Sequence, residues 1–242
     1  MSRVVELLSC SVERNGKRVI HDVDLTVREG TWVGLIGANG SGKTSLLRAI
    51  AGRLPFAGGS CCIRGQEMIG DRRARAGHFG FAPPPELLPD TLRVRDVLEM
   101  AGGAIDRNRP RLGRLGEALG LDGLRDQWIG DCSTGMRQRI AIATAFSGGH
   151  SLVILDEPLN WLDPVAAFDL RQSLRASVDG GLTLITALHD LHTLAAACDE
   201  GLMLAGGRVA MVLDQHRLRT AADNPGAFER ETIDRLRSKS PM

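Results

Sequence analysis

The sequence predicts an α/β protein: a mostly parallel sheet flanked by helices, with an antiparallel β subdomain and a small α-helical subdomain. Three observations carry this. An apolar run at 32–36 leads into the glycine-rich segment GANGSGKT at 37–44, and a helix-like stretch at 45–51 follows, closed by Gly52. In the second half, apolar strands at 151–155 and 182–187 alternate with helical stretches at 165–178 and 191–198, the pattern of parallel strands joined by crossovers. Near the start, Asn15-Gly16 separates two partly alternating segments, 3–12 and 18–27, which is a strong hairpin signal.

The remaining elements follow in order. A short strand is expected at 60–64 and another at 77–82, the latter ended by Pro83-Pro84-Pro85, which no regular element tolerates. From 86 to 131 the character changes: Leu92, Val94, Val97, Leu98 and Ala101 lie at helical spacing, and glycines punctuate the rest. Arg107, Arg109, Arg111 and Arg114 read as a solvated helix face, with contact to a membrane partner or headgroups as the functional alternative. Ser133 or Thr134 can cap a helix over 133–146. Gly206-Gly207 joins strands at 201–205 and 208–213. The expected organisation is a core of residues 1–83 and 132–214, a helical subdomain at 84–131 and a polar tail at 215–242 with a weak helix at 227–237.

Composition narrows the class. The chain has 242 residues, 43% hydrophobic and 24% charged, enough for a large core. A formal charge of +1 gives no global field toward nucleic acid, and none is expected as a partner. No signal-peptide apolar region opens the chain, and no apolar run approaches the roughly 18 residues of a membrane span. Five cysteines, an odd count without any Cys-x-x-Cys, read as reduced thiols.

The chemistry begins at residues 37–45. Gly, four residues, then Gly-Lys-Thr between strand and helix is a phosphate-binding P-loop, which makes the core that of a P-loop NTPase. Gly37, Asn39, Gly40, Ser41 and Gly42 would offer backbone N–H groups, and Ser45 sits in the first helical turn. Lys43 would reach the β- and γ-phosphates and Thr44 would put its hydroxyl on Mg²⁺. Only three lysines occur (Lys17, Lys43, Lys239), so a compact ammonium retained here fits a phosphate role better than a guanidinium fork. Asp156, at the end of the apolar strand of LVILDEP, is placed to hold Mg²⁺. Glu157, next along the pleat and facing the other way, can serve as general base. His189 and His192 suggest a metal pair only faintly, because no third ligand is evident.

Residues 132–139, CSTGMRQR, resemble the signature motif of ATP-binding cassette (ABC) ATPases. The resemblance covers nearly the whole chain in the family's order: P-loop, helical arm, signature, LVILDEP, then LNWLDP similar to the D-loop, and LITALHD ending in His189. No NKxD guanine-reading motif is present. The resemblance implies an ATP- and Mg²⁺-dependent ATPase subunit of a transporter, peripheral on the cytoplasmic face of the membrane. Its partners would be an integral membrane permease and a second nucleotide-binding domain, either a copy or a sister subunit. It further implies that Ser133, Gly135 and Met136 grip the nucleotide of the partner cassette, that His189 contacts the γ-phosphate, and that Asp163 links the two sites. Serine-threonine-glycine-methionine resembles exporter-type signatures and leans toward export.

Several positions depart from the family pattern. An aromatic residue that stacks on adenine is usual before the first hairpin turn, and the matching position is Asn15. Pro84 stands where glutamine is usual, Cys132 and Thr134 replace leucine and glycine, and Trp161 replaces a D-loop glycine. Two other readings remain: a cassette ATPase without transport, although neither a second cassette nor a long coiled coil is present, and a regulatory nucleotide-binding subunit, motivated by Asn15 and Pro84.

Overall fold

A computed structural model describes residues 2–102 and 105–223, together with 226, 228 and 230. The first half runs β1 (Arg3–Arg14), β2 (Lys17–Arg28), β3 (Trp32–Ile36), α1 (Lys43–Ile50), β4 (Gly58–Ile63), β5 (Gln66–Glu67), α2 (Arg72–His78), β6 (Phe79–Phe81), α3 (Val94–Gly102) and α4 (Ile105–Ala118). The second half runs α5 (Thr134–Ser147), β7 (Leu152–Asp156), α6 (Pro164–Asp179), β8 (Thr183–Leu188), α7 (Leu191–Ala197), β9 (Glu200–Ala205), β10 (Arg208–Leu213) and α8 (Gln215–Asp223). The chain forms two compact units, one of residues 1–78 and 183–242, the other of residues 79–182.

In the first unit β1 and β2 make the expected hairpin. Asn15 (φ 51°) and Gly16 (φ 72°) are both left-handed, as a two-residue turn matched to strand twist requires. With β4 and β5 these strands form an antiparallel sheet in the order β2-β1-β4-β5. A second set runs β10-β9-β3-β8, with β3 parallel to both neighbours and β9-β10 an antiparallel hairpin at the edge. Every residue of β3 is buried, which explains its unbroken apolar run. Trp32 is the one polar-tipped member, and its indole N–H donates to Thr186 Oγ1 at 2.8 Å. At Gly34 an added Cβ would come within 2.3 Å of Leu194 Cδ1, so α7 packs directly on the strand and any larger residue would force it away.

Two expectations need correction here. The strand foreseen at 77–82 is shorter, because α2 runs through His78 and β6 begins at Phe79. The polar string RRARAGH carries no helical pattern. Arg75 is instead fully buried and donates to the carbonyls of Met68 and Ile69, both at 2.5 Å, and of Leu54 at 3.3 Å, with its guanidinium over the Phe56 ring. That tie fixes the helix from outside its own sequence. The expected tail opens with a helix not foreseen from the sequence: Asp214 accepts from the Arg217 N–H at 2.8 Å and caps α8, so residues 215–223 are helical. The weak helix foreseen at 227–237 lies largely outside the described residues.

In the second unit β6 and β7 pair in parallel. The stretch 85–131 carries α3, α4 and three short 3-10 turns. Val94, Val97 and Leu98 bury one stripe of α3. Gly113, at φ 43° and ψ −128°, breaks α4 internally. Arg114 is exposed; the side chains of Arg107, Arg109 and Arg111 lie outside the described residues. Helix α5 buries Ile140, Ala141, Ile142, Ala143, Ala145 and Phe146, more than one face, and is a core helix. Gly80 lies so close to it that an added Cβ would sit 1.9 Å from the Ala145 carbonyl oxygen. Gly80→Ala is therefore expected to cost about 3 kcal/mol, read as a drop in Tm of roughly 6–12 °C. Among the described residues no helix is long and apolar enough to cross a membrane.

Candidate functional site

The glycine-rich loop leaves β3 at Ile36 and enters α1 at Lys43. Two glycines are obligatory there. An added Cβ at Gly37 would meet the Leu204 carbonyl oxygen at 2.3 Å, and one at Gly42 (φ 105°) would meet Ile20 Cδ1 at 2.5 Å. Gly42 caps α1 and makes no side-chain cap hydrogen bond. Asn39 and Gly40 form the exposed crest, while Ser45 is buried and Thr44 half-buried in the first turn.

Lys43 is only 5% exposed, and its ammonium donates to the carbonyls of Gly37 (2.8 Å) and Ala38 (3.3 Å). The loop thus curls around its own lysine. The Ser41 N–H donates to Ala38 O, and the Gly207 N–H to Ser41 O. Ser41 Oγ is buried with no hydrogen-bond partner among the described residues. An uncapped helix start, a buried ammonium and an unpaired buried hydroxyl form an anion site in need of acceptors. Polyphosphate oxygens fit that set.

His189 belongs to the same unit. In the parallel register Ile36 pairs with Leu188, so Gly37 and His189 leave neighbouring strands at the same carboxyl edge, where α/β sheets bind ligands. His189 is exposed there, and Asp190 caps α7 by accepting from the Thr193 N–H at 2.6 Å.

The second unit holds the other sequence-predicted residues. Asp156 ends β7 and is half-buried. Glu157 does not continue the pleat, contrary to expectation. Its φ is 52°, and it opens a turn closed by the Asn160 N–H on the Glu157 carbonyl at 3.2 Å. Pro158 at the second turn position favours this reversal. Its carboxylate Oε2 accepts from Asn160 Nδ2 at 2.9 Å, and its carbonyl also accepts from Gln138 Nε2 at 3.2 Å.

Ser133 caps α5, and its Oγ accepts from the Met136 N–H at 3.3 Å. The Met136 N–H, expected to face a phosphate, is thus occupied by its own cap. Ser133 is exposed; Gly135 and Met136 are half-buried. An added Cβ at Gly135 would lie 2.7 Å from the Trp161 carbonyl oxygen, so signature and D-loop touch within one chain. Trp161 is 71% exposed at φ 65°, a left-handed backbone where glycine would be unstrained. Asp163 caps α6, accepting from the N–H groups of Val165 (3.1 Å) and Ala166 (3.0 Å), and pairs with Arg139 at 3.4 Å. The Ala166 N–H, then that of Val165 and the Arg139 charge, hold its carboxyl below the usual range.

Asn15 needs correction too. It is the first residue of the turn, and the residue before the turn is Arg14, the last of β1. An aromatic side chain at Asn15 would have to adopt φ near 51°.

Residues 20–160, more than half the chain, match the ABC transporter family. The chain belongs to the ABC transporter ATP-binding family. This cassette is 30% identical over 202 residues to the lipopolysaccharide export system ATP-binding protein LptB of Escherichia coli K12, covering 80% of this chain and 83% of LptB. It is 32% identical over 203 residues to the aliphatic sulfonates import ATP-binding protein SsuB of Cupriavidus necator, covering 81% of this chain and 64% of SsuB. The cassette also superposes on a solved ATP-binding subunit of an ABC transporter with a TM-score of 0.83 at 26% identity, covering 97% of this chain and 99% of that one. It is a nucleotide-binding, ATP-hydrolysing cassette.

Gln138, Arg139 and Asn160 were not singled out from the sequence as holding the site. Asn160 had a local signal, a side-chain amide three residues past Glu157 across a proline turn. Gln138 had none, being 19 residues from the carbonyl it holds.

Proposed function

We propose that this cassette powers movement of a substrate through a separate membrane permease, by ATP-driven closure of two cassettes and reopening on hydrolysis. The observation that carries it is the P-loop: Lys43 buried beneath its own loop carbonyls with Ser41 Oγ unpaired. Gly37, Asn39, Gly40, Ser41, Gly42 and Ser45 would surround the phosphates of ATP, and Lys43 would pass from the Gly37 carbonyl to the β- and γ-phosphates. Thr44 and Asp156 would hold Mg²⁺, which neutralises phosphate charge; both offer the hard oxygen that this ion takes. Glu157 would accept the proton of the attacking water. His189 would hydrogen-bond the γ-phosphate from the carboxyl edge that it shares with Gly37.

Ser133 and Gly135 would meet the partner cassette's nucleotide through the N-terminus of α5, and the Met136 N–H would join them on release from Ser133 Oγ. Asp163, already the cap of α6, would carry changes at one site toward the other. No described helix crosses a membrane, and subunits of this family pair with permeases and dimerise, which supports a peripheral position on the cytoplasmic face beside such a permease. An exporter's and an importer's subunit resemble this chain about equally, so neither direction is favoured.

The test is steady-state ATP hydrolysis by the purified cassette with and without Mg²⁺, alongside His189→Ala. That variant is expected to lose about 100-fold in kcat while its affinity for ATP stays within about threefold. Equal kcat for variant and parent would remove His189 from the reaction.

A further inference from the structure

Glu157, at φ 52°, stands in a backbone region that L side chains avoid, just past the end of β7. Such a conformation persists only where the surroundings over-determine it. Here two side-chain amides do so. Asn160 Nδ2 donates to the carboxylate itself at 2.9 Å. Gln138 Nε2 donates to the Glu157 carbonyl at 3.2 Å, and the Asn160 N–H donates to that same carbonyl at 3.2 Å. Gln138 is 5% exposed on core helix α5, so packing fixes its amide before Glu157 is met. The turn, its strained first residue and the carboxylate orientation are thus set from both ends.

We propose that Asn160 and Gln138 are positioning residues for hydrolysis: Gln138 anchors the backbone of Glu157, and Asn160 aims its carboxylate. The proposal rests on Glu157 being the base. An amide suits the task. It donates without carrying charge, and it has no basic nitrogen with which to take the water's proton in Glu157's place. An acid at 160 would repel the carboxylate, and an apolar residue would remove the Nδ2 donor that it accepts from. Misplacing a reacting group by about 1 Å is enough to cost up to roughly 100-fold in rate.

The experiment uses the full chain and three variants, Asn160→Leu, Asn160→Asp and Asn160→Ser, with kcat, KM for MgATP and Tm measured on each. Asn160→Leu and Asn160→Asp are expected to lose about 10- to 100-fold in kcat while KM moves less than about threefold. Asn160→Ser, which keeps a donor, is expected to recover part of the loss. Asp matches Asn in size, so it reads the same effect should the Leu variant fold poorly. A merely structural residue would lower Tm and leave the kcat of the folded fraction alone. If Glu157→Gln abolishes turnover while Asn160→Leu and Asn160→Asp hydrolyse at the parent rate, the positioning role is wrong and the base stands. If Glu157→Gln itself turns over normally, the base assignment fails, and this role with it.

Discussion

Lys43→Ala is expected to abolish measurable nucleotide binding. The ammonium is 5% exposed and held by two loop carbonyls, at 2.8 and 3.3 Å, so it is pre-positioned under the loop. On binding, the same ammonium would make charged hydrogen bonds to the phosphates worth about 1.5–3 kcal/mol each, so losing two of those corresponds to roughly 100-fold or more in affinity. The variant also leaves the Gly37 and Ala38 carbonyls without their donor, which loosens the loop that presents the N–H groups. Titration calorimetry with ATP reads this directly. Lys43→Arg is expected to fail as well, because a planar fork does not fit a buried point-charge position. Unchanged affinity in Lys43→Ala would contradict the P-loop assignment.

Glu157→Gln is expected to lower kcat by about 100- to 10,000-fold while leaving ATP binding intact. Glutamine keeps an oxygen that can accept from Asn160 Nδ2, so the turn closed by Asn160 survives. It cannot take a proton from water. The two variants therefore separate the two halves of the reaction: Lys43→Ala never loads, and Glu157→Gln loads without firing.

What the sequence made legible was local. The Asn15-Gly16 and Gly206-Gly207 hairpins, the P-loop between β3 and α1, and the fully buried β8 are each dictated by residues close together in the chain. Ser133 as the α5 cap belongs with them. The remainder depended on partners brought together by folding. Helix α2 exists around Arg75, whose guanidinium reaches back to Leu54. The true course of Glu157 depends on Gln138, and Asp163 meets Arg139 of the signature helix. His189 comes beside the P-loop through the pairing of Ile36 with Leu188, a register that no stretch of sequence states. Asn15 shows the opposite hazard. Asn15-Gly16 is the turn itself, and the position before it is Arg14.

Nucleotide bound at the starts of α1 and α5 would supply acceptors to those helix ends. Gly42 leaves α1 without a side-chain cap, and the exposed Ser133 holds only the Met136 N–H of α5. Anionic oxygens from a nucleotide complete such ends. In the proposed cycle, hydrolysis would remove the bridging charge and with it the bonds between two cassettes.

The most direct measurement is the mass in solution of Glu157→Gln by light scattering, with and without saturating MgATP. The expected result is a shift from one chain to two on adding nucleotide, and no shift when Lys43→Ala is introduced into the same protein. A single-chain mass at saturating MgATP, with nucleotide bound, would contradict a nucleotide held between two copies.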